Sequence, residues 1–194
     1  MLNEEKGQKT RLIVVAAPSG AGKSSFVDRL TAEDHRIYDV ITYTTREMRH
    51  HEKPGKPYYF ISKADFIQKQ KNNFFVESAQ VHTNLYGTSY EELEGAWKLG
   101  KTAIMDIDIQ GVRTYRNKFK GVKTVFILPP SIEELRRRVI SRDGKAPIDL
   151  EVRMHNAEME MATSHEFDVQ IVNDDFDRSF NEFKKIVEKW ITKE

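Results

Sequence analysis

Arg11-Leu12-Ile13-Val14-Val15-Ala16-Ala17-Pro18-Ser19-Gly20-Ala21-Gly22-Lys23-Ser24-Ser25 decides how the rest of the chain is read. The first seven residues are apolar after Arg11 and rich in β-branched side chains, which predicts a strand buried on both faces. Pro18 and two glycines break it. From Lys23 to Leu30 the apolar residues Phe26, Val27 and Leu30 recur at helical spacing. Strand, glycine loop and helix form the first unit.

The loop has a chemical reading. Gly20-Ala21-Gly22-Lys23-Ser24 resembles the second half of a phosphate-binding loop of the form G-x-x-x-x-G-K-[ST], with Ala17 where the first glycine would stand. Glycines let backbone N–H groups converge on phosphate oxygens, and the helix that follows turns its positive end toward the same anion. Lys23 would neutralise the β- and γ-phosphates, and the Ser24 hydroxyl would ligate Mg²⁺. Gly-Lys-Ser alone is a weak signal; set between an apolar strand and a helix it is a strong one.

Outward from this unit the alternation continues. Strands are predicted over 40–43, 58–61, 74–79, 103–107, 124–128 and 169–172. Helices are predicted over 63–71, 90–99, 110–115, 132–141, 150–162 and 176–190. Ser89-x-x-Glu92 and Ser131-x-x-Glu134 carry the capping-box pattern of helix starts. Strands alternating with helices predict an α/β fold with a largely parallel sheet. From Tyr43 to Val81 closely spaced strands and one helix interrupt the rhythm, which predicts an inserted lobe. The first ten residues are polar and are expected to be loose.

Composition bounds the function. The 194 residues imply one domain, since domains run to about 150 residues. The 31 basic and 30 acidic residues leave a net charge of +1, which argues against binding a nucleic acid or a membrane by global charge. Absence of cysteine removes thiolate metal sites and cysteine nucleophiles. The start lacks an apolar signal core, no run approaches the roughly 20 apolar residues of a membrane span, and a cytoplasmic location is expected. The charges are nevertheless segregated. Arg46, Arg49, Lys53 and Lys56 gather between residues 42 and 57. Arg136, Arg137, Arg138, Arg142 and Lys145 gather between 136 and 145. The neighbours His50 and His51 lack the spacing of zinc ligands.

Ala17 to Ser25 reads as a guanylate kinase phosphate loop of the bacterial type, a family that accepts Ala at this place. The resemblance continues in order through Thr44-Thr45-Arg46-x-x-Arg49, Tyr58-x-Phe60, Phe75-x-Glu77, Tyr86-Gly87-Thr88, Asp106-Ile107-Asp108-x-Gln110-Gly111, Pro129-Pro130-Ser131 and Ile171-Val172-Asn173-Asp174-Asp175. It spans about residues 11–190. It implies a P-loop kinase fold with a core (about 11–41, 89–137 and 164–194), a GMP-binding lobe (about 42–88) and a helical lid (about 138–163). The implied reaction is transfer of the γ-phosphoryl group from ATP to GMP.

Roles follow from the resemblance residue by residue. Ser19, Gly20, Ala21, Gly22, Lys23, Ser24 and Ser25 would bind ATP, with Asn173 beside the adenine. Thr42, Arg46, Arg49 and Tyr58 would hold the GMP phosphate; arginine's planar fork suits phosphate oxygens. Glu77, Thr88 and Tyr86 would form the base pocket. A carboxylate can accept from guanine N1–H and the N2 amine together, while a hydroxyl donates to O6. Asp106 and Asp108 follow an apolar strand at i and i+2, so both are expected on one face of it. Asp106 would stand near Mg²⁺ through water, Asp108 on the GMP side. Arg138, Arg142 and Arg153 would surround the transferring phosphoryl group, with Lys23, Arg46 and Asp106 completing the catalytic set. Arg136 and Arg137 have no such match and are expected to be solvated.

Two departures touch the site: Met48 and His50-His51 flank the arginines, and Asp143-Gly144-Lys145-Ala146-Pro147 replaces an acidic, threonine-rich lid tip. The expected partners are ATP and GMP with Mg²⁺, and neither nucleic acid nor membrane. Tolerance of dGMP and the choice between monomer and homodimer stay open. Two rival readings are weighed against this one. A kinase for another nucleoside monophosphate conflicts with the Glu77 and Thr88 pair, and a non-catalytic interaction module conflicts with Lys23, Ser24, Asp106 and the lid arginines all being present.

Overall fold

In the computed structural model, residues 11–50, 52–81 and 83–192 are described. His51 and the first ten residues lie outside them. Among the described residues the chain builds two sheets. The first has five strands, all parallel: β1 (Leu12–Ala16), β2 (Ile37–Asp39), β7 (Thr102–Asp106), β8 (Lys123–Leu128) and β9 (Val169–Val172), in the order β2-β7-β1-β8-β9. All five residues of β1 are buried because the strand has a core on each side. Ile13 and Val15 pack with Ile104, Val125 and Ile127 beneath helices α1 (Lys23–Glu33), α5 (Ile132–Asp143), α6 (Leu150–Ala162) and α7 (Phe176–Thr192). Leu12, Val14 and Ala16 pack with Ala103, Met105 and Phe126 against α3 (Tyr90–Lys98) and α4 (Ile109–Lys118). That two-sided burial is why the strand reads as an unbroken apolar run. On α7, Phe180 and Phe183 close on Phe26 of α1, with ring centroids 6.2 and 5.6 Å away.

The second sheet lies between β2 and α3 in sequence. Its strands are β3 (Thr42–Thr44), β4 (Tyr58–Phe60), β5 (Phe75–Val81) and β6 (Asn84–Ser89), in the order β4-β3-β6-β5. α2 (Lys63–Lys71) packs on it through Phe66, which stacks on Phe75 at 4.6 Å. Only the β3–β4 pair is parallel.

Two sequence expectations need correction. The strand expected over 40–43 is β3, starting at Thr42, and β2, ending at Asp39 in the other sheet, was not expected. Val40 and Ile41 carry the chain from one to the other, and no glycine or proline marks the switch. β6 was not expected as a strand, because Gly87 interrupts its pattern. A Cβ at Gly87 would sit 3.0 Å from ring atoms of both Phe66 and Phe75, so the glycine is there for close ring packing. Both capping boxes form: Ser89 Oγ accepts from Glu92 N at 3.2 Å, and Ser131 Oγ from Glu134 N at 3.1 Å.

Candidate active site

Between β1 and α1 the loop turns through Gly20 (φ 98°) and Gly22 (φ 101°), both left-handed. Space as well as backbone angle demands glycine. A Cβ on Gly22 would meet Asn173 Nδ2 at 2.7 Å, and one on Gly20 would meet Val139 Cγ2 at 2.8 Å. Gly22 is the N-cap of α1 and no side chain caps the helix, which leaves first-turn N–H groups for an anion. Asn173 is buried beneath the loop and donates from Nδ2 to the Ala21 carbonyl at 2.8 Å. Expected beside the adenine, it braces the loop here.

Asp106 ends β7, next to β1 in the sheet, and its carboxylate meets the loop. The Ser24 hydroxyl donates to Asp106 Oδ2 at 2.6 Å, and Lys23 Nζ lies 3.6 Å from the same oxygen. A hydroxyl and a carboxylate oxygen are hard donors of the kind Mg²⁺ prefers, with water and phosphate oxygens completing its shell. Among the described residues no group of three His, Asp or Glu side chains is placed to hold a metal.

Asp108 behaves differently from the i, i+2 expectation. β7 stops at Asp106, so strand pleating does not govern Asp108; it is the N-cap of α4 and accepts from Gly111 N at 3.0 Å. Its charge still bears on Glu77. Burial first, and Asp108 second, push Glu77 up to about 7, while Lys118 opposes them.

The second sheet offers one polar face. Thr42 pairs with Tyr58, Thr44 with Tyr86, and Glu77 with Thr88, so these side chains share a side. The rings of Tyr58 and Tyr86 meet edge to face at 5.7 Å. Burial raises the Tyr58 phenol, helped by Asp106 and Tyr86. Thr88 is buried and its hydroxyl has no partner. Arg46 follows β3, its guanidinium 5.4 Å from the Tyr58 ring centre and bonded to Glu52 Oε1 at 2.7 Å. Arg49 is exposed, and its backbone N–H donates to Glu52 Oε2 at 2.8 Å. A crevice between α1 and this sheet is lined by Ser24, Asp28, Asp39, Thr42, Tyr58 and Asp106.

Arg138, Arg142 and Arg153 are held by acids. Arg138 donates to Glu134 Oε1 at 2.8 Å and to the Asn173 carbonyl at 3.0 Å. Arg142 donates to Asp143 Oδ1 at 2.8 Å and reaches Ser19 Oγ at 3.5 Å. Arg153 lies 3.9 Å from Asp143 Oδ2 and donates to Asp149 Oδ1 at 2.9 Å. Asp143 is held below the usual carboxylate range, chiefly by its hydrogen bond from Arg142; Arg153 and Arg49 add to this. Arg136 and Arg137, expected to be solvated, are ion-paired at the surface with Glu151 and Glu134.

Several groups escaped the sequence reading. Glu52 stands in a basic stretch and holds both arginine segments; its only signal is an acid placed three residues after Arg49. Asp39 is pushed up to about 7 by burial, then by Asp106 and Asp28. Glu160 on α6 is pushed up to about 7 by burial, against the pull of Lys23. Neither belongs to a recognisable motif.

A family model described as guanylate kinase matches residues 9–190. The chain belongs to the guanylate kinase family. It is 66% identical over 180 residues to the guanylate kinase of Bdellovibrio bacteriovorus, covering 93% of this chain and 97% of that protein. To the guanylate kinase of Polaromonas it is 43% identical over 176 residues, 91% of this chain and 85% of that one. The crystal structure of guanylate kinase from Anaplasma phagocytophilum superposes with a TM-score of 0.75 at 29% identity, over 92% of this chain and 84% of that one. Membership makes the chain a nucleotide-binding kinase, and the guanylate kinase fold accounts for the two sheets and the glycine loop. Among the described residues no helix is long and apolar enough to cross a membrane.

Proposed function

We propose that the chain transfers the γ-phosphoryl group of ATP to GMP, giving ADP and GDP, as a cytoplasmic enzyme. The observation that carries the assignment is the polar face of the second sheet. Glu77 and Thr88 stand opposite each other in register, on the side that also bears Thr42, Tyr58 and Tyr86. The crevice that holds Thr42 and Tyr58 also holds Ser24 and Asp106 of the loop site. The sheet face that bears Glu77 and Thr88 thus reaches the crevice of the loop site through Thr42 and Tyr58.

In this reading residues 42–88 bind GMP, 138–163 form the lid, and the rest is the core. The loop from Ser19 to Ser25 wraps the ATP phosphates with backbone N–H groups, and Asn173 keeps its shape through Ala21. Ser24, and Asp106 through water, would hold Mg²⁺, which would supply neutralisation of the phosphate chain. Thr42, Arg46, Arg49 and Tyr58 hold the GMP phosphate in line, Arg46 by exchanging Glu52 for a phosphate oxygen. Glu77 as carboxylate accepts from guanine N1–H and the N2 amine, Thr88 donates to O6, Tyr86 flanks them, and Asp108 supports the base side through α4. The GMP phosphate is already an anionic nucleophile, so no general base is required. Positioning and charge neutralisation do the rest. Lys23, Arg138, Arg142 and Arg153 stabilise charge on the transferring group, and lid closure keeps water away from it.

The test is ADP release with ATP, Mg²⁺ and one of GMP, dGMP, AMP, CMP, UMP or dTMP. Turnover with GMP far above AMP is expected. No turnover with GMP overturns the assignment in favour of an interaction module; turnover mainly with another base assigns a sister kinase.

A further inference from the structure

Tyr115 lies on α4 and is fully buried, its ring stacked on Phe119 with centroids 6.0 Å apart. A phenylalanine would fill the same space. The hydroxyl is what the packing leaves unexplained. Among the described residues two buried side-chain atoms lack a hydrogen-bond partner, and they are the Tyr115 hydroxyl and Thr88 Oγ1. The two are neighbours, although no hydrogen bond of ordinary geometry joins them in this structure. A buried hydroxyl left unpaired is costly, and two side by side call for a shared use.

Proton counting sets the direction of that use. A tyrosine hydroxyl has one proton; a threonine hydroxyl has one proton and two lone pairs. The Tyr115 hydroxyl bonds to no other group, Glu77 included, so Thr88 Oγ1 is the acceptor at hand for its proton. Once Thr88 accepts there, its own proton is left to point away from Tyr115. Thr88 stands opposite Glu77 in the β5–β6 register, on the sheet face that also bears Thr42 and Tyr58 of the crevice. A ligand with a carbonyl oxygen at that point satisfies the threonine proton. A ligand with an amino group there meets a donor with a donor.

We propose that Tyr115 is a positioning residue for base selection: its hydroxyl donates to Thr88 Oγ1 and thereby fixes Thr88 as a donor to the 6-carbonyl of a 6-oxopurine monophosphate. This rests on the base-pocket reading given above and adds to it a group that never touches the substrate. Glu77 reads the N1–H and 2-amino edge. Tyr115, acting through Thr88, sets the polarity at position 6, where guanine and adenine carry opposite groups.

The experiment compares wild type, Tyr115→Phe, Thr88→Val and the double variant in steady-state kinetics with ATP and Mg²⁺. GMP and 6-thio-GMP are the acceptors; the latter keeps the N1–H and 2-amino groups but offers sulfur, a weak acceptor, at position 6. Tyr115→Phe is expected to raise KM for GMP about five- to tenfold, the worth of one neutral hydrogen bond. The kcat and the KM for ATP stay unchanged, and KM for 6-thio-GMP barely moves, so preference for oxygen over sulfur narrows. The melting temperature is not lowered, since an unpaired buried hydroxyl has been removed. In the Thr88→Val background, Tyr115→Phe has no further effect on GMP. Unchanged KM for GMP in Tyr115→Phe, or an equal rise for both acceptors, overturns the proposal. If wild type does not use GMP, or Thr88→Val leaves its KM unchanged, the base-pocket reading itself fails.

Discussion

The two sheets solve opposite problems. The five-stranded sheet is apolar on both faces of its central strands, which helices hide, and its chemistry sits at its end, where Asp106 meets the loop. The four-stranded sheet keeps one aromatic face, where Tyr43 meets Tyr59 at 4.8 Å and Phe75 stacks on Phe66. Its other face bears Thr42, Tyr58, Glu77, Tyr86 and Thr88, and the first two line the crevice. The first sheet is therefore held by burial and the second carries groups that burial disfavours. Glu77 pushed up to about 7 and an unpaired Thr88 hydroxyl mark a surface arranged for a ligand rather than for stability.

The contrast can be broken by substitution. Phe26→Ala, in the core beneath the first sheet, is expected to destabilise the chain by about 3–5 kcal/mol, read from urea unfolding. KM values of the protein that remains folded should not move. Lys23→Met, at the end of the same sheet, should leave unfolding unchanged and lower kcat by about 10²–10³-fold, the usual worth of one preorganised charge. A large fall in stability for Lys23→Met, or in GMP affinity for Phe26→Ala, would erase the division between the interior and the end of that sheet.

On the polar face, Glu77→Gln should cut kcat/KM for GMP by about 10²-fold, the penalty for a lost charged acceptor in a buried site, with KM for ATP unchanged. Its pH behaviour sharpens the comparison. Glu77 binds its proton more tightly in the folded chain, at about 7 against an ordinary value of 4.5. Between those values the folded state holds more protons than the unfolded one, so this group's contribution to stability is lost as pH rises through the window. Glu77→Gln should remove that part of the fall and leave the variant as stable as wild type or more so at pH 8, in denaturant titrations at several pH values. In the proposed base pocket GMP needs the ionised carboxylate, so kcat/KM for GMP should climb as pH rises through about 7 in wild type. A pH profile for Glu77→Gln that follows the wild type would assign the titration to another group.

On the aromatic face of the second sheet, Gly87→Ala is expected to cost about 1–3 kcal/mol, because its Cβ would press on Phe66 and Phe75. GMP kinetics should change less than in Glu77→Gln. A kinetic effect as large as that of Glu77→Gln would show that the two faces of this sheet are not separable.

Legibility in the sequence follows the same division. β1, β7 and β8 read as strands because burial on two faces leaves apolar runs, and the glycine loop reads as a phosphate cradle because close backbone approach admits few residue types. Second-sheet strands are three to seven residues long and their burial does not alternate regularly, so periodicity cannot carry the reading. β6 was hidden by a glycine whose reason is a pair of rings from elsewhere. The β2–β3 switch was hidden because a strand's sheet depends on its partners. Asp108 was placed by strand pleating and turned out to cap a helix, since the pleat ends two residues earlier. The basic clusters were visible, and so were Glu52 and Asp143 within them, but not that these acids hold the arginines.

By itself the sequence determined the α/β class, the loop chemistry and the family, through local patterns whose physics acts within a few residues: hydrophobic periodicity, glycine freedom and helix capping. Only the tertiary structure decided which carboxylate each arginine meets, which face of the second sheet opens to the cleft, and that Thr88 and Tyr115 lie unpaired beside one another. Those facts depend on distances between residues far apart in the chain, and on burial that changes what a proton or a hydroxyl costs.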